Sequence, residues 1–229
     1  MSGREDISSG NIAAKLYLAS GSPRRRELFD RFWGVYGYSV IVPAFDELAA
    51  VDELDDPAML SPEELAEHLT AGKIAAIKDN ISDSEEYLAV AADTIVVIDD
   101  QIMGKPRDQA EAAEMLKKLS GRRHRVITAA ALLAHGQKSE LLMVESETTY
   151  VEFSLLDQRQ IDWYISTDEP MDKAGAYGIQ GYGSALIRKI DGCYYNVMGL
   201  PVNRLMNMLR EAAVKSPEFS FISGLLPWS

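Results

Sequence analysis

Three groups of residues in this sequence have types and spacings that could do chemistry. The first is Arg24-Arg25-Arg26, which follows a short apolar run and a Gly21-Ser22-Pro23 turn. Ser22 as N-cap and Pro23 at the first helical position open a helix there. That end of a helix is already partly positive, so three cations in its first turn oppose the dipole by roughly 0.3–1 kcal/mol each. A single arginine reads as a solvated basic face. Three of them, beside the hydroxyls of Ser20 and Ser22 and the free backbone N–H groups, read as a phosphate cradle. The G-x-x-x-x-G-K-[ST] pattern of a P-loop is absent.

The second group centres on Asp93, set between Ala92 and Thr94 inside an apolar run. A carboxylate there is unfavourable unless something pairs with it. One reading is a structural hydrogen bond to a neighbouring loop. The other is a magnesium ligand or general base, since hard cations choose oxygen ligands. Asp46 or Glu47 could supply a partner carboxylate, although an acidic stretch of this kind is more often simply solvated. The third group comprises the isolated lysines Lys73, Lys105 and Lys173. Each alone is an ordinary surface residue, but several converging cations plus a metal suit a triphosphate with about four negative charges. Gln180 lies among Gly175, Gly178, Gly181 and Gly183, and a polar amide there is a candidate for reading a base edge. The same glycines also suit tight turns, and no G-x-G-x-x-G is present.

The rest of the composition narrows the class. A chain of 229 residues, 47% hydrophobic and 25% charged, reads as one sizeable globular domain. The net charge of −12 opposes binding to a nucleic-acid polymer but leaves room for a small anion at a local basic cluster. One cysteine and three histidines give neither an internal disulfide nor a soft-metal cluster. No apolar run is long enough to span a membrane and no signal peptide is apparent, so a cytoplasmic setting is expected.

Elements must position those groups. Leu16 to Ala19, Tyr38 to Val42 and Leu88 to Ile98 read as strands, the last turned at Asp99-Asp100 into a partner ending near Met103. The acidic stretch from Asp46 to Asp56 reads as a loop. Ser61-Pro62-Glu63-Glu64 is a capping box opening a helix to about Asn80. Asp108 and Glu111 start a helix that Gly121 stops. Val126 to Ala134 and about Leu141 to Phe153 form a hairpin around Gly136-Gln137. Asp157 to Ser166 is a short helix, and Pro201 opens the last one. Residues 1–14 read as a loose leader, 15–213 as a single α/β domain and 214–229 as a tail without an assigned role.

Taken together, several blocks resemble one family. Leu18-Ala19-Ser20-Gly21-Ser22-Pro23-Arg24-Arg25, Ala92-Asp93-Thr94, Gly104-Lys105-Pro106, Leu119-Ser120-Gly121, Glu169 to Gly181 and Gly199-Leu200-Pro201 are similar, in order, to the Maf nucleotide pyrophosphatases. The resemblance runs from about Lys15 to Arg210. It implies an α/β fold like that of inosine triphosphate pyrophosphatases, with an elongated mixed β-sheet flanked by helices, two lobes and a central cleft, in a homodimer. It also implies hydrolysis of a nucleoside triphosphate to the monophosphate and pyrophosphate. Arg24, Thr94 and Gln180 fall where the dTTP/UTP class is distinguished from the 7-methyl-GTP class.

Carried over, the resemblance makes Asp93 the proton acceptor, with Glu47 and Asp93 holding magnesium, or manganese in its place. Ser20, Ser22, Arg25, Lys73 and Lys105 would hold the phosphates, with Lys105 aiding the leaving pyrophosphate. The flanks of Asp46-Glu47 diverge from the family, so which of the two acts stays open here. Two other readings remain: a non-catalytic nucleotide-binding regulator of cell division, and a nucleotidyltransferase for which the chain offers no acceptor domain.

Overall fold

The computed structural model describes residues 14–54, 56, 59–82 and 85–228. The proposed leader therefore lies, but for residue 14, outside the described residues. A mixed seven-stranded sheet forms the frame, in the order β2-β1-β3-β5-β6-β7, with β4 paired to the far end of β3. Its strands are β1 (Lys15–Ala19), β2 (Ser39–Val40), β3 (Tyr87–Ile98), β4 (Gln101–Met103), β5 (Arg123–His135), β6 (Glu140–Phe153) and β7 (Ile187–Asp191). β1 runs parallel to β2 and β3, and the other pairs are antiparallel. The helices are α1 (Pro23–Trp33), α2 (Glu47–Asp52), α3 (Pro62–Ala75), α4 (Gln109–Leu119), α5 (Gln158–Ile165), α6 (Tyr194–Met198) and α7 (Val202–Lys215).

β3 explains where a site can form. It is covered on both faces, so it reads as a continuous apolar run rather than an alternating one. On one face Leu88, Val90 and Ala92 pack into a cluster with Trp33 of α1 and Leu205 and Leu209 of α7. Further along the same face, Val96 and Ile98 join another cluster with Leu116, Leu119, Phe153 and Tyr177. On the opposite face Ala89 and Ala91 pack with Ile74 of α3, and Ile95 and Val97 with Ala66. Residues 93 and 94 are the step between clusters on both faces. The sheet continues there while its apolar cover is interrupted.

The structure departs from the sequence-based reading in several places. The stretch from Asp46 to Asp56 is not all loop, because Asp46 caps the six-residue helix α2. The strand expected over Tyr38–Val42 is reduced to Ser39–Val40, with one further bond from Ile41 N–H to Leu18 O. Pro43 has no N–H to extend it. α3 ends at Ala75, before a separate 3-10 turn at Lys78–Asn80. β7 and α6 lie in a stretch to which no element had been assigned. The last residues are part of the core: Phe219, Ile222 and Leu225 are buried, and Trp33 Nε1 donates to Leu225 O at 3.1 Å.

Candidate active site

At the step in β3 a cavity of about 730 Å³ opens, within the range typical of small-molecule sites. Five cationic side chains (Arg24, Arg25, Lys73, Lys105 and Lys173) line it against three anionic ones (Glu47, Asp93 and Asp172). In a chain whose net charge is −12, this is a local excess of positive charge that suits a small polyanion.

The turn before α1 is shaped by its own hydroxyls. Ser22 caps α1 by accepting Arg25 N–H, and Ser20 Oγ accepts Ser22 N–H at 3.2 Å. Arg25 points inward and is fixed at several atoms: Nε donates to Gly199 O at 2.7 Å and a terminal nitrogen donates to Thr94 Oγ1 at 3.0 Å. Thr94 lies 3.0 Å from Thr128 Oγ1, which donates to Asn196 O at 2.8 Å. Desolvation lowers the guanidinium pKa, and the nearby Asp93 carboxylate opposes that. Gly199 has φ of 108°, and a Cβ there would lie 3.4 Å from Thr94 Oγ1 and 3.5 Å from Arg25 Nε. Those distances are ordinary van der Waals contacts, so it is the backbone angle that calls for glycine. Arg24 turns to Asp172 at 3.3 Å. Arg26 is exposed and is not among the lining residues, so the cradle has two arginines rather than three.

Asp93 is 8% exposed and faces Lys73 of α3. Lys73 Nζ lies 2.6 Å from Asp93 Oδ1 and 2.6 Å from Glu47 Oε1. Two carboxylates from distant parts of the chain therefore converge on one cationic point. Asp46 and Glu47 are placed differently: Asp46 accepts the N–H groups of Leu48 and Ala49 as the cap of α2, whereas Glu47 lines the cavity. Gly72, next to Lys73, makes room for the strap that carries Glu47, since a Cβ there would lie 2.4 Å from the Phe45 ring.

Lys105 also lines the cavity and has no carboxylate partner among the described residues. Its strap is tied down where Gly175 N–H donates to Gly104 O at 3.0 Å. Gln180 borders the same cavity. The ten residues that the family resemblance points to (Ser20, Ser22, Arg24, Arg25, Glu47, Lys73, Asp93, Thr94, Lys105 and Gln180) line this one space, whereas Arg26 and Asp46, also singled out in the sequence, do not. Sequence reasoning did not assign roles to Asp172, which holds Arg24, or to the Gly199 carbonyl, which holds Arg25. Lys173, which stood out only as an isolated lysine, lines the cavity too.

Among the described residues no group of three or more His, Cys, Asp or Glu could hold a metal ion by itself. The donor set nevertheless fits a hard cation shared with a ligand. Magnesium is commonly held by one or two carboxylates plus substrate phosphates rather than by an all-protein cage.

Comparison with known proteins gives a consistent picture. The family described as Maf-like protein matches residues 15–212. The chain is 43% identical over 198 residues to a dTTP/UTP pyrophosphatase of Clostridium botulinum (strain Eklund 17B / Type B), covering 86% of this chain and 99% of that one. It is 46% identical over 197 residues to the dTTP/UTP pyrophosphatase of Symbiobacterium thermophilum, covering 86% and 93%. The protein of the same description from Bacillus velezensis is 43% identical over 205 residues, covering 90% and 100%.

Proposed function

This chain belongs to the Maf-like protein family, and from that premise we propose that it hydrolyses dTTP and UTP to the monophosphate and pyrophosphate. The observation that carries the reading is that Asp93 and Glu47 meet at Lys73 in the same cavity as the Ser20–Arg25 turn. An acidic centre beside a cationic cradle is what hydrolysis at a phosphoanhydride requires.

In this mechanism Ser20, Ser22, Arg24, Arg25 and Lys73 grip the polyphosphate, and Thr94 supports Arg25. Asp93 accepts a proton from the attacking water. The water oxygen forms a bond to the α-phosphorus, and the bond from that phosphorus to the bridging oxygen breaks. Pyrophosphate leaves with the bridging oxygen, its charge met by Arg25 and Lys105. Asp93 and Glu47 would hold magnesium, or manganese in its place, which when bound supplies charge neutralisation on the phosphates and a lowered pKa for a coordinated water. Gln180 would face the base, pairing with a uracil or thymine edge and leaving unpaired groups against a purine. The proposal includes a homodimer, taken from the family resemblance, and a cytoplasmic setting, taken from the composition. Among the described residues no helix is long and apolar enough to cross a membrane.

The test is pyrophosphate release from dTTP, UTP, CTP, ATP and GTP with magnesium. Rapid turnover of dTTP and UTP, and a loss on the order of 10²–10⁴ in kcat for Asp93→Asn, are the expected results. Near wild-type turnover by Asp93→Asn would refute the acid-base assignment. Nucleotide binding without pyrophosphate release would instead support a non-catalytic regulator.

A further inference from the structure

A second set of polar groups lies behind the segment that carries Gln180, beside the cavity-lining Lys173, whose Nζ donates to Glu169 O. Tyr164 of α5 is fully buried. Its hydroxyl accepts Gly178 N–H at 3.1 Å and donates to Glu169 Oε1 at 3.0 Å. The Glu169 carboxylate also accepts Gly183 N–H at 3.0 Å on that oxygen and Tyr182 N–H at 2.9 Å on the other. The chain leaves the Tyr164–Glu169 pair at Gly178 and returns to it at Tyr182 and Gly183, with Gln180 between.

The ends of this loop touch. A Cβ on Gly183 would lie 2.2 Å from Gly178 O and 2.7 Å from the Tyr164 hydroxyl. Gly181 has φ of 68°, and a Cβ there would lie 2.4 Å from Glu169 Oε2. The glycines that looked ambiguous in the sequence thus admit one carboxylate and one phenol beneath a closed loop. Hydrogen bonds to an ionised acceptor are roughly twice as strong as neutral ones, so this anchor is stiff.

Stiffness matters because of what an amide reads. An amide oxygen accepting the N3–H of uracil or thymine, with its NH₂ donating to O4, recognises those bases. Rotated by half a turn, the same amide complements cytosine, whose donor and acceptor are exchanged. Among the described residues no hydrogen bond fixes the Gln180 side chain, so the backbone that presents it is what limits where its amide oxygen and NH₂ can meet a base edge. We infer that Glu169 and Tyr164 are positioning residues that set discrimination between thymine or uracil and cytosine by clamping both ends of the Gln180 loop. This rests on the dTTP/UTP reading above.

The test uses the full chain with magnesium, as wild type, Glu169→Gln and Tyr164→Phe. Steady-state pyrophosphate release is measured with dTTP and dCTP separately, and thermal melting reports folding. In both variants KM for dTTP should rise about tenfold while kcat stays within about threefold, and the dTTP:dCTP ratio of kcat/KM should fall about tenfold. A parallel loss on both nucleotides with the ratio unchanged overturns the inference, leaving the pair as structural support only. If Glu169→Gln fails to fold, Tyr164→Phe decides, since it removes a single oxygen. If wild type releases no pyrophosphate from dTTP, the proposed activity fails separately. Calorimetric binding of dTMP and dCMP, which needs no turnover, then decides the inference: a preference for dTMP that the variants lose supports it, and the same preference in all three proteins overturns it.

Discussion

The two ends of the cavity are built in different ways. At the phosphate end, long charged side chains from separate elements reach into one space: Arg25 from α1, Lys73 from α3 and Asp93 from β3. At the Gln180 end the backbone itself is fixed, over buried neutral rings and a single carboxylate. On the proposed function the contrast follows from the ligand. A polyphosphate is compact and highly charged, so cations that reach in from several elements reward it from several directions. A base is flat and uncharged, and its pattern of donors and acceptors is read only by groups that hold still.

The contrast predicts that damage at the phosphate end is severe but indifferent to the base. Arg25→Ala removes a donor from the cradle and releases both Gly199 O and Thr94 Oγ1. A fall on the order of 10²–10³ in kcat/KM is expected, equal for dTTP and ATP. Arg25→Lys should recover little, because an ammonium does not span both partners as the planar guanidinium does. Steady-state kinetics with the two nucleotides checks this. A loss confined to dTTP would show that the ends are not separable and that Thr94 transmits base identity through Arg25.

Acid should attack the other end first. His124 on β5 is 2% exposed, with Nε2 2.7 Å from the Tyr177 hydroxyl just before the Gln180 loop. Nδ1 has no partner. Burial pulls the imidazole pKa from 6.5 down to about 4. The unfolded chain therefore takes up a proton below pH 6.5 that the folded chain refuses until about pH 4. This contribution is complete above pH 6.5 and is lost as pH falls through that window, by about 3 kcal/mol at its foot. Urea denaturation at pH 7 and pH 4.5 should show a smaller loss for His124→Gln than for wild type. Equal losses would break the assignment of acid sensitivity to this end.

How far the sequence displayed each end reflects the same difference. The phosphate end is written in local signals: a capped turn followed by arginines, and an aspartate inside an apolar strand. Asp93 stood out because a buried carboxylate needs a reason, and its place at the step between core clusters supplies one. The tertiary holders of these residues were not legible. The Gly199 carbonyl that fixes Arg25 is a backbone atom 174 residues away, which no side-chain pattern reveals. At the other end, the glycines suggested only tight turns and not the close approach of Tyr164 and Glu169, which belong to segments read only as a helix and a motif. α2 was missed because its apolar positions are not buried, and only its Asp46 cap marks it.

The smallest predicted effect tests the contrast at matched caps. Asp46 caps α2 and Asp157 caps α5, each by accepting backbone N–H groups of the first turn. Removing such a cap costs about 1 kcal/mol of helix stability. α2 buries none of its residues, so losing its cap should loosen Glu47 while leaving global stability within about 0.5 kcal/mol. Because 1 kcal/mol is about a fivefold change in an equilibrium, Asp46→Ala should lower kcat/KM by about that factor. α5 buries Ile161, Tyr164 and Ile165, so Asp157→Ala should instead lower global stability by about 1 kcal/mol. Urea denaturation and dTTP kinetics on both variants separate the cases. Unchanged kcat/KM in Asp46→Ala would mean that the ion pair with Lys73 holds Glu47 in place without its helix, and that the phosphate end is stiffer than its long side chains suggest.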